Sequence, residues 1–131
     1  FELLEPRIQN MFRELEEATK DLSTFHLNLC VSYGGRSEIT RAARLAAQDL
    51  SQGKIKKITE SELGKHMLTN GFPDPDIVIR TSGEHRLSNF LLWQLAYSEM
   101  VFVKKHWPEL TENDFVETLK TFAGRKRRFG K

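Results

Sequence analysis

Pro75-Asp76-Ile77-Val78-Ile79-Arg80-Thr81-Ser82-Gly83-Glu84-His85-Arg86-Leu87-Ser88-Asn89 is the stretch on which the reading of this chain turns. Ile77-Val78-Ile79 is apolar and β-branched, and short enough to be one buried strand. A polar loop follows, carrying Gly83 and two arginines. Ser88 then stands before Asn89-Phe90-Leu91-Leu92-Trp93-Gln94-Leu95, which predicts an N-capped apolar helix over about 89–99. A strand end, a polar loop and a helix start make a concave anion site, because unsatisfied backbone N–H groups and the positive end of the helix dipole face it. Arg80 and Arg86 add two planar forks suited to phosphate oxygens. The spacing predicts a pocket for a diphosphate. It is not a Walker-type loop, since no Gly-Lys-Ser/Thr follows the glycine.

Working outward, the pattern alternates helices and strands. Pro6 suits a first-turn position, and Ile8, Met11, Phe12 and Leu15 recur at helical spacing, predicting a helix over about 6–21. Phe25-His26-Leu27-Asn28-Leu29-Cys30-Val31 alternates and then becomes apolar, as a strand does. Cys30 reads there as a buried small hydrophobe. Tyr33-Gly34-Gly35-Arg36 turns the chain, its glycines suited to positive φ. A helix over about 37–51 then carries Ile39, Ala42, Ala43, Ala46, Ala47 and Leu50. Thr59-Glu60-Ser61-Glu62 has capping-box spacing and predicts a short helix near 60–69. Met100-Val101-Phe102-Val103 is a further strand, and Thr111 with Asp114 starts the last helix.

Strands separated by helices predict an α/β fold, a parallel sheet with helices on both faces. Ligands of such sheets bind beyond the carboxyl ends of the strands, where both the Tyr33–Arg36 turn and the Arg80–Arg86 loop fall. Three strands make a meagre sheet. The chain also starts without methionine, so residues 1–131 are expected to be the C-terminal portion of a larger single domain.

Composition narrows the function. Hydrophobic residues make up 39% and charged residues 29%, ordinary for a globular protein. No apolar run reaches the length of a membrane span, and no signal-peptide pattern is present. The net charge of +2 hides an asymmetry, for residues 120–131 hold Lys120, Arg125, Lys126, Arg127, Arg128 and Lys131 and no acid. The rest of the chain is net acidic. Basic residues clustered at one end, rather than over a face, argue against a nucleic-acid partner.

Ile79-Arg80-Thr81-Ser82-Gly83-Glu84-His85-Arg86-Leu87-Ser88-Asn89-Phe90-Leu91-Leu92-Trp93-Gln94-Leu95-Ala96-Tyr97-Ser98-Glu99 closely resembles the signature of cis-prenyltransferases, the undecaprenyl and dehydrodolichyl diphosphate synthases. The resemblance extends upstream through Asn28-Leu29 and Tyr33–Arg36 and downstream to Trp107-Pro108 and Arg125–Gly130. It covers nearly the whole chain as the C-terminal half of that family. It implies a transferase that adds isopentenyl diphosphate to an allylic diphosphate, such as farnesyl diphosphate, with cis geometry. The implied isopentenyl diphosphate positions are Arg80, Arg86, Leu87 and Ser88. A terminal Arg-x-Gly element, matched by Arg128 and Gly130, reaches the neighbouring subunit's substrate in that family. The resemblance also implies magnesium, with Glu99 as a ligand and His85 as one in some members. It implies a homodimer or heterodimer, and a cytoplasmic location or a peripheral one on the cytosolic face of a membrane.

Alternatives stay open at several of these positions. Glu99 at the end of a continuous helix would lie about 16 Å from Ser88, and could instead pair with Lys104 or Lys105. His85 could hydrogen-bond a phosphate, since magnesium prefers oxygen ligands. The family's essential aspartate, in a Met-Asp-Gly-Asn segment, is not within these residues, so they are not expected to catalyse alone. The competing reading is a non-catalytic prenyltransferase-like subunit supporting a catalytic partner.

Overall fold

A computed structural model describes residues 1–125; Arg128 and Gly130 fall outside the described residues. The chain divides into two compact units, Phe1–Tyr33 and Gly34 onward.

The first unit holds helix α1, Pro6–Thr19, with proline in its first turn as the sequence predicts. Phe1 packs edge-on against Phe12 at 6.1 Å. No residue of α1 is buried, and Met11 and Leu15 remain half exposed. The expected strand at 25–31 does not form: this stretch has no ladder among the described residues, and Phe25 and Leu27 are 79% and 69% exposed. Alternation marks a surface able to pair, but a strand exists only where a neighbour supplies the hydrogen bonds. Cys30 is accordingly exposed, not buried.

The second unit contains α2, Gly35–Ser51; α3, Glu60–Gly64; β1, Ile77–Arg80; β2, Glu99–Phe102; a 3₁₀ turn, Trp107–Glu109; and α4, Glu112–Ala123. Strands β1 and β2 pair in parallel, with Ile77 opposite Glu99 and Arg80 opposite Phe102. The fold is thus α/β around a small parallel sheet, of two strands rather than three among the described residues.

Local chemistry sets the helix starts. Thr59 Oγ1 accepts from the Glu62 amide at 3.1 Å to begin α3. At α4, Thr111 Oγ1 accepts from the Asp114 amide, and Asp114 accepts in return from the Thr111 amide at 2.8 Å. This is the reciprocal capping box read in the sequence. Lys105 Nζ also donates to both Asp114 carboxylate oxygens at 2.8 Å. The buried stripe of α2 is Gly35, Glu38, Ala42 and Ala46, a rotation from the expected face: Ala43 and Ala47 are exposed. The reason is Glu38, a charged residue only 3% exposed, which faces inward because Gln94 and the Leu68 amide donate to it.

The expected helix over 89–99 is replaced by successive turns running from Ser88 to Tyr97. Ser88, Asn89 and Leu91 take φ of 49°, 66° and 42°, values outside a right-handed helix. Ser88 is therefore not an N-cap. Residue Glu99, placed at a helix end by periodicity, instead opens β2.

Candidate functional site

The site begins at the carboxyl end of β1. Arg80 is its last residue, and its carbonyl accepts from Val103 at 2.8 Å to continue the ladder beyond β2. The chain then reverses at Ser82 and Gly83, both at φ 65°, the positive values of a mirror-image turn. Three bonds pin this turn. The Ser82 amide donates to the Lys105 carbonyl at 2.8 Å, the Gly83 amide donates to the Val103 carbonyl at 3.0 Å, and Ser82 Oγ lies 3.1 Å from His106 Nδ1.

Beyond the turn, Arg80, Arg86 and Leu87 line one cavity of about 230 Å³ with Phe90, Met100 and Trp107. The lining is both cationic and apolar. Arg80 Nε is buried without a hydrogen-bond partner among the described residues, which is costly for a charged donor. Arg86 is largely exposed and pairs through Nη1 with Glu84. The cavity is thus lined by two arginine side chains, one of them held by a surface carboxylate.

The expected convergence of helix amides is absent, because no helix starts at Ser88. Asn89 works differently. Its carbonyl accepts from the Gly35 amide at 2.7 Å, and its Oδ1 accepts from the Arg36 amide at 2.9 Å. It satisfies two first-turn donors of α2 from far along the chain. The paired glycines follow from this approach. Gly34 is extended, with φ −151°, and Gly35 is helical, so positive φ is not their purpose. A Cβ at Gly35 would lie 3.0 Å from the Leu92 amide nitrogen, and one at Gly34 would lie 2.9 Å from Asn89 Nδ2.

Of the sequence-predicted positions, Arg80, Arg86 and Leu87 share the cavity, and Ser88 is exposed immediately after it. Glu99 lies elsewhere. Three ladder positions separate its partner Ile77 from Arg80, a strand distance of about 10 Å. Its Oε2 accepts from Arg125 Nη1 at 2.8 Å, rather than from Lys104 or Lys105, and Arg125 also donates to the Met100 carbonyl. The His85 ring stacks on Phe102 with centroids 4.3 Å apart. Magnesium needs several converging oxygen ligands. Among the described residues no three His, Cys, Asp or Glu side chains are grouped to hold a metal.

The family model described as "Putative undecaprenyl diphosphate synthase" matches residues 1–130. The chain belongs to the cis-prenyltransferase family. It is 44% identical over 127 residues to the isoprenyl transferase of Thermotoga maritima, covering 97% of this chain and 54% of that protein. It is 43% identical over 131 residues to a tritrans,polycis-undecaprenyl-diphosphate synthase (geranylgeranyl-diphosphate specific) of Thermoplasma volcanium, covering 98% of this chain and 51% of the relative. The crystal structure of lavandulyl diphosphate synthase from Lavandula x intermedia, in complex with dimethylallyl diphosphate, superposes with a TM-score of 0.92. Its sequence is 36% identical, and the match covers 99% of this chain and 57% of the other. The chain spans about half the length of the curated relatives it matches.

Asn89, Glu38 and Gln94 escaped the sequence reading. For Asn89 one signal existed: α2 opens on two glycines with no side-chain cap of its own, so its orphan amides needed an acceptor from elsewhere.

Proposed function

We propose that this cis-prenyltransferase chain holds isopentenyl diphosphate in the Arg80–Arg86 cavity for condensation onto an allylic diphosphate with cis geometry. The convergence of the Arg80 and Arg86 side chains on one cavity, beside Phe90, Met100 and Trp107, is the observation that carries this reading. Arg80 and Arg86 grip the diphosphate oxygens, and the Ser88 hydroxyl adds a donor at the rim. Leu87, Phe90, Met100 and Trp107 give the five-carbon group an apolar wall. The reaction breaks the carbon–oxygen bond of the allylic diphosphate, forms a carbon–carbon bond to the isopentenyl unit and releases a proton. The residues named here supply the orientation of the incoming unit, whose fixed approach accounts for much of the acceleration in such couplings. Arg128 and Gly130 are proposed to serve a substrate diphosphate of a neighbouring subunit, in a homodimer or heterodimer.

The test is calorimetric titration of the full-length protein with isopentenyl diphosphate. Charge-assisted hydrogen bonds contribute about 1.5–3 kcal/mol each, so Arg80→Ala weakens binding by at least roughly tenfold. The control Lys57→Ala, on the exposed segment before α3, leaves it unchanged. Undiminished binding in the Arg80 variant overturns the assignment.

A further inference from the structure

We propose that Asn89 is a positioning residue for the diphosphate site: by capping α2 it holds the Arg86–Ser88 limb in place. This rests on the isopentenyl diphosphate reading above. The loop is pinned on its incoming side by the bonds from Ser82 and Gly83 to the segment after β2. On its outgoing side the fastening is Asn89, through Gly35 N at 2.7 Å and Arg36 N at 2.9 Å. Arg86 and Ser88 lie between the two anchors.

The residue type follows from two demands made at once. Position 89 has φ 66°, a region that asparagine tolerates better than most residues. It must also present a short side-chain acceptor to a helix N-terminus, which asparagine does as well as aspartate or serine. Gly34, the local N-cap of α2, has no side chain to offer. The fit is close enough that a Cβ at Gly34 would press on Asn89 Nδ2 at 2.9 Å, and one at Gly35 on the Asn89 carbonyl oxygen at 3.2 Å. Neither Asn89 nor the two glycines touch the cavity, so their effect on substrate passes through the limb they fix.

The experiment compares Asn89→Ala, Asn89→Asp and Arg80→Ala in the full-length protein, by steady-state kinetics and by calorimetric titration with isopentenyl diphosphate. Losing a cap of this kind corresponds to about a fivefold change in an equilibrium. Asn89→Ala is expected to raise both KM and Kd for isopentenyl diphosphate by about fivefold to tenfold, with kcat within about twofold. Asn89→Asp keeps the acceptor and tolerates positive φ, so it restores both constants to within about twofold of the parent. A purely structural role would lower the folded fraction, and so kcat and the binding stoichiometry, while leaving KM and Kd unmoved; that pattern overturns the inference. Unchanged constants in Asn89→Ala with weakened binding in Arg80→Ala also overturn it and leave the diphosphate reading standing. Unchanged binding in Arg80→Ala removes that reading, and the inference falls with it.

Discussion

Gln94 Nε2 donates to both carboxylate oxygens of Glu38, at 3.2 and 3.1 Å, across 56 positions of sequence. The same nitrogen donates to Thr69 Oγ1 at 3.0 Å, and the Leu68 amide donates to Glu38 Oε1 at 2.7 Å. One side-chain amide thus joins α2, the segment after α3 and the turns that leave the arginine loop. Gln94 is 2% exposed and its Oε1 is buried without a partner among the described residues. Gln94→Leu removes donors from a buried carboxylate and also removes that unsatisfied carbonyl, so the losses are partly offset. The expected destabilisation is about 2 kcal/mol. Gln94→Glu sets a second carboxylate against Glu38 and costs more. Urea midpoints of the two variants check the order.

At Gly35 a methyl group would meet the Leu92 side chain at 2.9 Å and the Leu92 backbone nitrogen at 3.0 Å. Backbone cannot yield as a flexible side chain does, so Gly35→Ala destabilises by roughly 1–3 kcal/mol. Gly64, at the end of α3, has open space around its missing Cβ. Gly64→Ala is expected to stabilise by about 0.5 kcal/mol through lower unfolded-state entropy. Denaturation curves showing the same sign for both substitutions would contradict the close-approach account of the paired glycines.

Glu84 pairs with the Arg86 guanidinium. A diphosphate entering the cavity competes with it. Glu84→Gln is expected to tighten inorganic pyrophosphate binding about threefold at low ionic strength, with the gain shrinking above roughly 0.15 M salt as exposed charges are screened. Weaker binding in the variant would show that Glu84 orders Arg86 for the ligand rather than opposing it.

The Lys105 ammonium, donating to the Asp114 carboxylate, holds its pKa at about 2 against an ordinary 3.8, and the Thr111 hydroxyl and amide add to the effect. The folded value lies below the unfolded one, so this contribution is complete above about pH 4 and disappears as pH falls towards 2. Asp114→Asn is expected to flatten the acid limb of the stability profile between pH 4 and 2 and to fray the start of α4. Thermal melts across that interval measure both effects.

Residues whose structure depends on neighbours in sequence were legible. The capping box at Thr111, the Thr59 cap, the proline start of α1 and the β1 triplet all stand where local chemistry places them. That Arg80, Arg86 and Leu87 fall around one cavity was legible because a strand end and a short loop keep them together. The turns from Ser88 to Tyr97 were not, because Phe90-Leu91-Leu92-Trp93 carries a helical signal that the tertiary bonds of Asn89 and Gln94 override. The burial of Glu38 and Gln94 was not legible, since one-dimensional patterning cannot show that two polar groups satisfy each other. The stretch at 25–31 alternates as strands do, and pairing is a property of partners rather than of the stretch itself.

The cap that Asn89 supplies to α2 makes two distant segments open together. Breaking the turns after the arginine loop uncovers the Gly35 and Arg36 amides, and fraying the first turn of α2 releases Asn89. Hydrogen exchange at those two amides therefore reports on the loop, and a ligand that steadies Arg86 slows it at a helix it never touches.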